Sequence, residues 1–154
     1  MIENDYRYTI AAVRSTSATR QEAQEMLERA GLRPTRQRVA VIDALRARPE
    51  AVTAQDLHHE LRRSPGAPGL ATIYRILTAL STSGDLDTFP REGEQAFRLC
   101  GPDHHHHLVC RSCGSVEEVG AEAVESWVKR VARQRRFKVL GHTVDVYGLC
   151  ADCG

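Results

Sequence analysis

Two copies of one short pattern, Cys110-Arg-Ser-Cys113-Gly and Cys150-Ala-Asp-Cys153-Gly, restrict this chain more than any other feature of it. Each follows a strand-like apolar run and ends in glycine. Together they offer four thiolates, the soft tetrahedral donor set that closes a structural zinc site. The 36 residues between Cys113 and Cys150 exceed the spacing of a compact zinc ribbon, so such a metal ties the end of a folded unit back to its beginning. A redox pair would require a helix beginning at the motif, and one residue follows Cys153. The start of the chain, Met1-Ile-Glu-Asn-Asp, carries acids where a secretory signal places basic residues, and five cysteines cannot all pair. A cytoplasmic, metal-binding chain is expected rather than a disulfide framework.

Hydrophobic periodicity divides the remainder in two. Helical spacing predicts a segment capped by Ser17 or Thr19 and stopped at Gly31, and a second capped by Thr35 with Val39, Val41, Ile42 and Leu45. A third follows Thr53 with Ala54, Leu57 and Leu61. In a fourth, Ile73, Ile76, Leu77 and Leu80 fall at i, i+3, i+4 and i+7 and the pattern stops at Gly84. Short strand patterns at 86–89 and 96–99 then flank the loop Arg91-Glu92-Gly93-Glu94, and helices closed by a hairpin read as a winged helix. Gly101-Pro102-Asp103 breaks any regular element. Beyond it the expected order is strand at 107–110, strand at 116–119, helix at 121–134 and strand at 137–149. The helix carries an apolar stripe of Val124, Trp127, Val128 and Val131. On the last strand Leu140, His142, Val144 and Val146 share one face.

Charge is uninformative globally, at 21 basic against 20 acidic residues, but not locally. Between Arg29 and Arg48 lie six arginines and one acid, Asp43, and from Arg62 to Gly84 three arginines and no acid. No run approaches eighteen apolar residues, so no membrane partner is expected.

The run His104-His-His-His107 supplies further donors. In an extended segment His104 and His106 serve one side, and His105 and His107 the other. Cys100, left over by the knuckles, precedes the run at the end of the expected wing. With the hairpin centred on its four-residue loop, Asp85 faces Cys100 and Asp87 is its same-face diagonal neighbour, so Cys100, one of these two aspartates and two histidines make a four-ligand site. Glu125 flanks the helix stripe and His142 points inward, which gives a second set of His104, His106, Glu125 and His142. His58 reads as packing and His59 as surface.

In order along the chain, Pro34-Thr-Arg-Gln-Arg38, Gly69-Leu-Ala-Thr-Ile-Tyr-Arg75, the histidine run leading into Leu-Val-Cys-Arg-Ser-Cys113, and His142-Thr-Val-Asp-Val-Tyr-Gly-Leu-Cys-Ala-Asp-Cys153 resemble the ferric uptake regulator family, and most closely its zinc-sensing branch. The resemblance implies an α+β chain: a winged-helix DNA-binding domain at 19–100, a hinge at 101–103, and a small α/β dimerisation domain with a structural zinc at 104–154; residues 1–18 read as an N-terminal extension to which the resemblance does not reach. By position it assigns Cys110, Cys113, Cys150 and Cys153 to the structural zinc. It assigns Asp87, rather than Asp85, with Cys100, His105 and His107 to a regulatory hinge site, and His104, His106, Glu125 and His142 to an accessory site. One structural and one or two regulatory zinc ions per subunit follow, together with homodimerisation, double-stranded operator DNA as partner and no small-molecule substrate.

The DNA contacts expected on this basis are Arg36 and Arg38 at the start of the second helix, and Thr72, Tyr74 and Arg75 on the fourth. A thiolate, two imidazoles and a carboxylate suit zinc better than iron(II), although related sensors for iron, manganese, nickel or peroxide differ by small ligand changes. The rival class is a zinc hydrolase, with an open metal position and Glu125 as general base. A purely structural zinc module would leave Cys100 and the histidine run unused.

Overall fold

The computed structural model describes residues 17–99, 101 and 104–154; the expected extension up to residue 16, Cys100 and residues 102–103 lie outside them. The first half contains the four helices read from periodicity: α1 (Ser17–Arg29), α2 (Arg36–Arg46), α3 (Ala54–Leu61) and α4 (Leu70–Thr82). The Thr35 hydroxyl accepts from the Arg38 amide to start α2, and Thr53 and Asp56 form a reciprocal capping box at the start of α3. Gly31 and Gly84 follow α1 and α4 with φ of +70° and +83°, a left-handed conformation that turns the chain away from the helix.

Ile73, Ile76, Leu77 and Leu80 of α4 are buried against Leu27 of α1, Val41, Ile42 and Leu45 of α2, and Leu57 of α3. Each of these side chains contributes roughly 1.5–3 kcal/mol by leaving water, so the opposite face of α4 need contribute nothing to the core. Strands β2 (Leu86–Arg91) and β3 (Glu94–Leu99) pair in the register Leu86↔Leu99 through Arg91↔Glu94, with Glu92 and Gly93 as the turn. A two-residue strand β1 (Val52–Thr53), which the sequence reading did not include, adds to the far edge of β3 in the order β1-β3-β2. His58 is half-buried and His59 exposed, as expected.

In the second half, β4 (His105–Cys110) pairs antiparallel with β5 (Val116–Gly120) on one side and parallel with β6 (Asp145–Gly148) on the other. Helix α5 (Glu122–Arg135) ends at Arg136, whose φ of +53° turns the chain out of the helix. Two expectations are corrected here. The strand expected over 137–149 forms only as β6, and residues 137–144 are not strand: in the parallel register His107↔Asp145 they run past the start of β4 at His105, and Leu140 is 89% exposed. Leu140, His142, Val144 and Val146 therefore do not form one buried strand face. The α5 stripe exists, but it is not buried among the described residues: Val124, Val128 and Val131 are half-buried and Trp127 is 55% exposed.

The two halves meet at a second, smaller core of Ala51, Phe89, Ala96 and Val109, flanked by Val116 and Tyr147. Beside it the Ala51 amide donates to the Gly114 carbonyl at 3.2 Å, Glu50 and Ser115 form a β-bridge, and Arg98 of β3 pairs with Glu118 of β5 at 2.6 Å. No helix among the described residues is long and apolar enough to cross a membrane.

Candidate metal centres

Strand alternation on β4 sorts its donors. His105 and His107 share the face of buried Val109 and look onto β2, whereas His104 and His106 look the other way, towards α5.

On the first face, Asp87 Oδ2 of β2 lies 3.4 Å from His105 Nε2 and 3.1 Å from His107 Nε2. The competing aspartate is already occupied: Asp85 pairs with Arg29 and accepts from the Ser83 hydroxyl at 2.6 Å. Of the two aspartates that hairpin arithmetic left open, it is Asp87 that lies beside the histidines. The fourth expected donor, Cys100, lies outside the described residues.

On the second face, His104 Nε2 and His142 Nε2 stand 3.2 Å apart, and Glu125 Oε1 is 3.2 Å and 3.4 Å from them. His106 completes the group. It is 2% exposed, and neither ring nitrogen has a hydrogen-bond partner. Burial, then the neighbouring His104 and His142, lower its pKa and favour the neutral ring, which is the form that donates a lone pair. His142 reaches this group from an irregular segment, not from the strand face expected for it.

The third group joins the two knuckles. Cys113 Sγ and Cys150 Sγ are 3.7 Å apart, and the Cys150 amide donates to Cys110 Sγ at 3.4 Å. Backbone N–H groups of Cys113 and Cys150 bring the Cys110 thiol down to about 6. At Cys153 the Ser112 hydroxyl acts in the same direction, but Cys150, Cys113, burial and Cys110 outweigh it and push the thiol up to about 12. Four sulfurs this close cannot all ionise without a cation between them.

Spacing tests whether metal fits. Nitrogen or oxygen donors about 2.0–2.1 Å from a tetrahedral ion stand about 3.3–3.4 Å from one another, and thiolates at about 2.3 Å stand about 3.8 Å apart. The observed separations of 3.1–3.4 Å and 3.7 Å match those edges. An unpartnered pair of nitrogens on a buried imidazole is otherwise a cost of ~1–3 kcal/mol, and a metal removes part of it. In each of the three groups of Cys110, Cys113, Cys150 and Cys153, of His104, His106 and His142, and of Asp87, His105 and His107, the donor atoms lie within 4.8 Å of one another.

Sequence reasoning missed Asp145. Its Oδ1 lies 2.9 Å from His107 Nδ1, on the side of the ring away from Asp87. Only the parallel pairing of β4 with β6, which sets His107 opposite Asp145, brings them together.

The basic stretch also resolves. Arg29, Arg46 and Arg48 are ion-paired within the fold. Arg33, Arg36, Arg38, Arg62, Arg63 and Arg75 form no ion pair among the described residues. Arg36 is exposed and Arg38 half-buried at the start of α2; on α4, Tyr74 and Arg75 are exposed and Thr72 half-buried. Arg75 reaches back to the Ala71 carbonyl at 3.4 Å and the Thr72 hydroxyl at 3.5 Å.

A winged-helix half joined to a small α/β half, with donor groups for metal at their junction and beyond it, defines a metal-binding protein of the winged-helix class. The chain belongs to the ferric uptake regulator family, whose sequence model matches residues 29–147. It is 45% identical over 125 residues to the zinc uptake regulation protein of Mycobacterium tuberculosis, covering 80% of this chain and 96% of that protein. Among solved structures it is similar to the ferric uptake regulator of Vibrio cholerae (TM-score 0.65, 31% identity, 82% of this chain and 98% of that one). It is also similar to a zinc uptake regulator complexed with zinc and DNA (TM-score 0.64, 28% identity, 86% of this chain and 90% of that one).

Proposed function

We propose that this chain is a zinc-responsive transcription repressor that binds double-stranded operator DNA as a homodimer, with zinc as corepressor. The observation that carries the reading is the convergence of Asp87, from the wing, with His105 and His107, from the sheet beyond the hinge, on one point. A metal held there, with Cys100 as fourth donor, fixes the winged helix at 19–100 against the dimerisation domain at 104–154, across the hinge at 101–103. In a metal-free dimer the two winged helices sample many separations, and few match the fixed spacing of half-sites on a duplex. Moving such an equilibrium from mostly incompetent to mostly competent takes roughly 5 kcal/mol of differential binding, within the range of a four-ligand zinc site.

In this reading Cys110, Cys113, Cys150 and Cys153 hold a structural zinc, and His104, His106, Glu125 and His142 hold an accessory zinc that tunes the response. Thr72, Tyr74 and Arg75 enter the major groove while Arg36 and Arg38 contact phosphates. The unpaired arginines on α2 and α4, and the likeness to a relative solved with zinc and DNA, support it. The exposed stripe around Trp127 supports the homodimer, because a second copy would cover it.

Zinc-dependent gel shift of promoter DNA at buffered free metal is the test. DNA binding that rises with zinc, without hydrolase turnover, is expected. Binding driven by iron, manganese or nickel at lower free metal than zinc would replace zinc as the signal, and turnover of an ester or amide substrate would favour the hydrolase reading.

A further inference from the structure

The two nitrogens of His107 face two carboxylates on opposite sides of its ring: Nε2 meets Asp87 Oδ2 at 3.1 Å, and Nδ1 meets Asp145 Oδ1 at 2.9 Å. Only Nε2 belongs to the donor group, since His105 Nε2 approaches the same Asp87 oxygen at 3.4 Å. The ring is further confined by Phe89, edge-on at 5.0 Å, and by His105 at 4.8 Å, and its side chain is 9% exposed. A neutral imidazole carries one proton, so the carboxylate on its far side decides which nitrogen keeps a lone pair.

We infer that Asp145 is a positioning residue of the hinge site, accepting the Nδ1 proton of His107 so that Nε2 presents its lone pair to the metal. The inference rests on the proposed reading of Asp87, His105 and His107 as that site. The hydrogen bond favours one tautomer over the other, fixes the ring plane, and makes Nε2 more basic by placing a negative charge behind it. Asp145 is well placed for this because it opens β6, directly opposite His107 in the parallel register, and the same strand runs on into the Cys150 knuckle. The thiolate site therefore anchors the far end of the strand that orients a hinge ligand. The roles divide by position: Asp87 touches the metal, and Asp145 acts through His107.

The test uses the full chain with its thiolate zinc in place, in a His142→Ala background that disables the accessory group. Zinc affinity is measured by competition with a chelator for the parent, Asp87→Ala, Asp145→Asn and Asp145→Ala. The tautomer of His107 is read from nitrogen-15 shifts before the hinge metal is added. Asp145→Asn and Asp145→Ala should weaken hinge zinc roughly 10–100-fold and spread His107 over both tautomers, while thiolate zinc content and the thermal midpoint stay at parental values. Unchanged zinc affinity in Asp87→Ala would instead overturn the hinge reading itself. If Asp87→Ala weakens binding but both Asp145 variants bind as the parent does, with His107 still on its Nδ1–H tautomer, the positioning role is wrong. Loss of thiolate zinc in Asp145→Asn would also overturn it, making Asp145 a residue of the fold.

Discussion

The Ala51 amide donates to the Gly114 carbonyl at 3.2 Å, joining the segment that leads into β1 of the winged helix to the loop that closes the first cysteine knuckle. The bond has company in the Glu50–Ser115 bridge and in buried Ala51 itself, which packs in the junction core beside Phe89 and Val109. The knuckle thus does more than close its own sheet: one of its loops is a surface on which the helical half rests.

Cys113→Ser should accordingly disturb both halves. Losing one thiolate removes binding free energy that belongs to the folded state, so this variant is expected to bind less zinc and to unfold at a lower temperature. Dimerisation should be impaired as well. Metal analysis with thermal unfolding and sedimentation checks this; full zinc content with parental stability would refute it.

The hinge predicts the opposite pattern. Asp87→Ala and Cys100→Ser should keep the thiolate zinc, the fold and the dimer, yet lose zinc-dependent DNA binding. Fluorescence anisotropy of operator DNA against buffered free zinc is the measurement. An unaltered zinc response in Cys100→Ser would sink the mechanism.

His104→Ala and Glu125→Ala act on the face of β4 turned away from the wing. They are expected to shift the free zinc at which DNA binding sets in without abolishing the response, because that group does not cross the hinge. Abolition in the same titration would place the switch there instead.

On α4, Arg75→Ala should cost ~1–3 kcal/mol of operator affinity and relax sequence preference if the guanidinium reads a base edge. Arg36→Ala should weaken all sequences alike and flatten the salt dependence. Unchanged affinity and salt slope for Arg75→Ala would show that another face of the helical half meets DNA.

Trp127 is 55% exposed on a helix with no buried residue, an arrangement that invites cover by a second copy. Trp127→Glu should raise the dimer dissociation constant, read by sedimentation at several concentrations, while leaving the thiolate zinc in place.

The helices of the first half were legible because each buries its own stripe: Ile73, Ile76, Leu77 and Leu80 announce one face of α4 without reference to anything distant. Most donors were legible too, since knuckles and a histidine run are local patterns. Legibility ended where a residue depends on a partner far along the chain. The period-two alternation of Leu140, His142, Val144 and Val146 resembles a strand, but a strand requires a partner along its length, and β4, which pairs His107 with Asp145 in parallel, begins only at His105. Asp145 was passed over within a motif that had already been noted, because its partner lies 38 residues earlier across a parallel pairing that sequence does not reveal. From the hairpin alone Asp85 and Asp87 were not separable, because Arg29, which pairs with Asp85, comes from a helix outside the hairpin.

Strand β4 supplies donors to all three groups within six residues, and its pleat alone determines which imidazole faces which. Inserting or deleting one residue between His107 and Cys110 would invert one side of the strand relative to the other, so that either the two histidine pairs exchange faces or Cys110 turns to the wrong side of the sheet. Replacing a single side chain alters one coordination sphere and leaves the others intact. A chain built this way can drift in metal preference by point substitution, but its length through this segment is frozen.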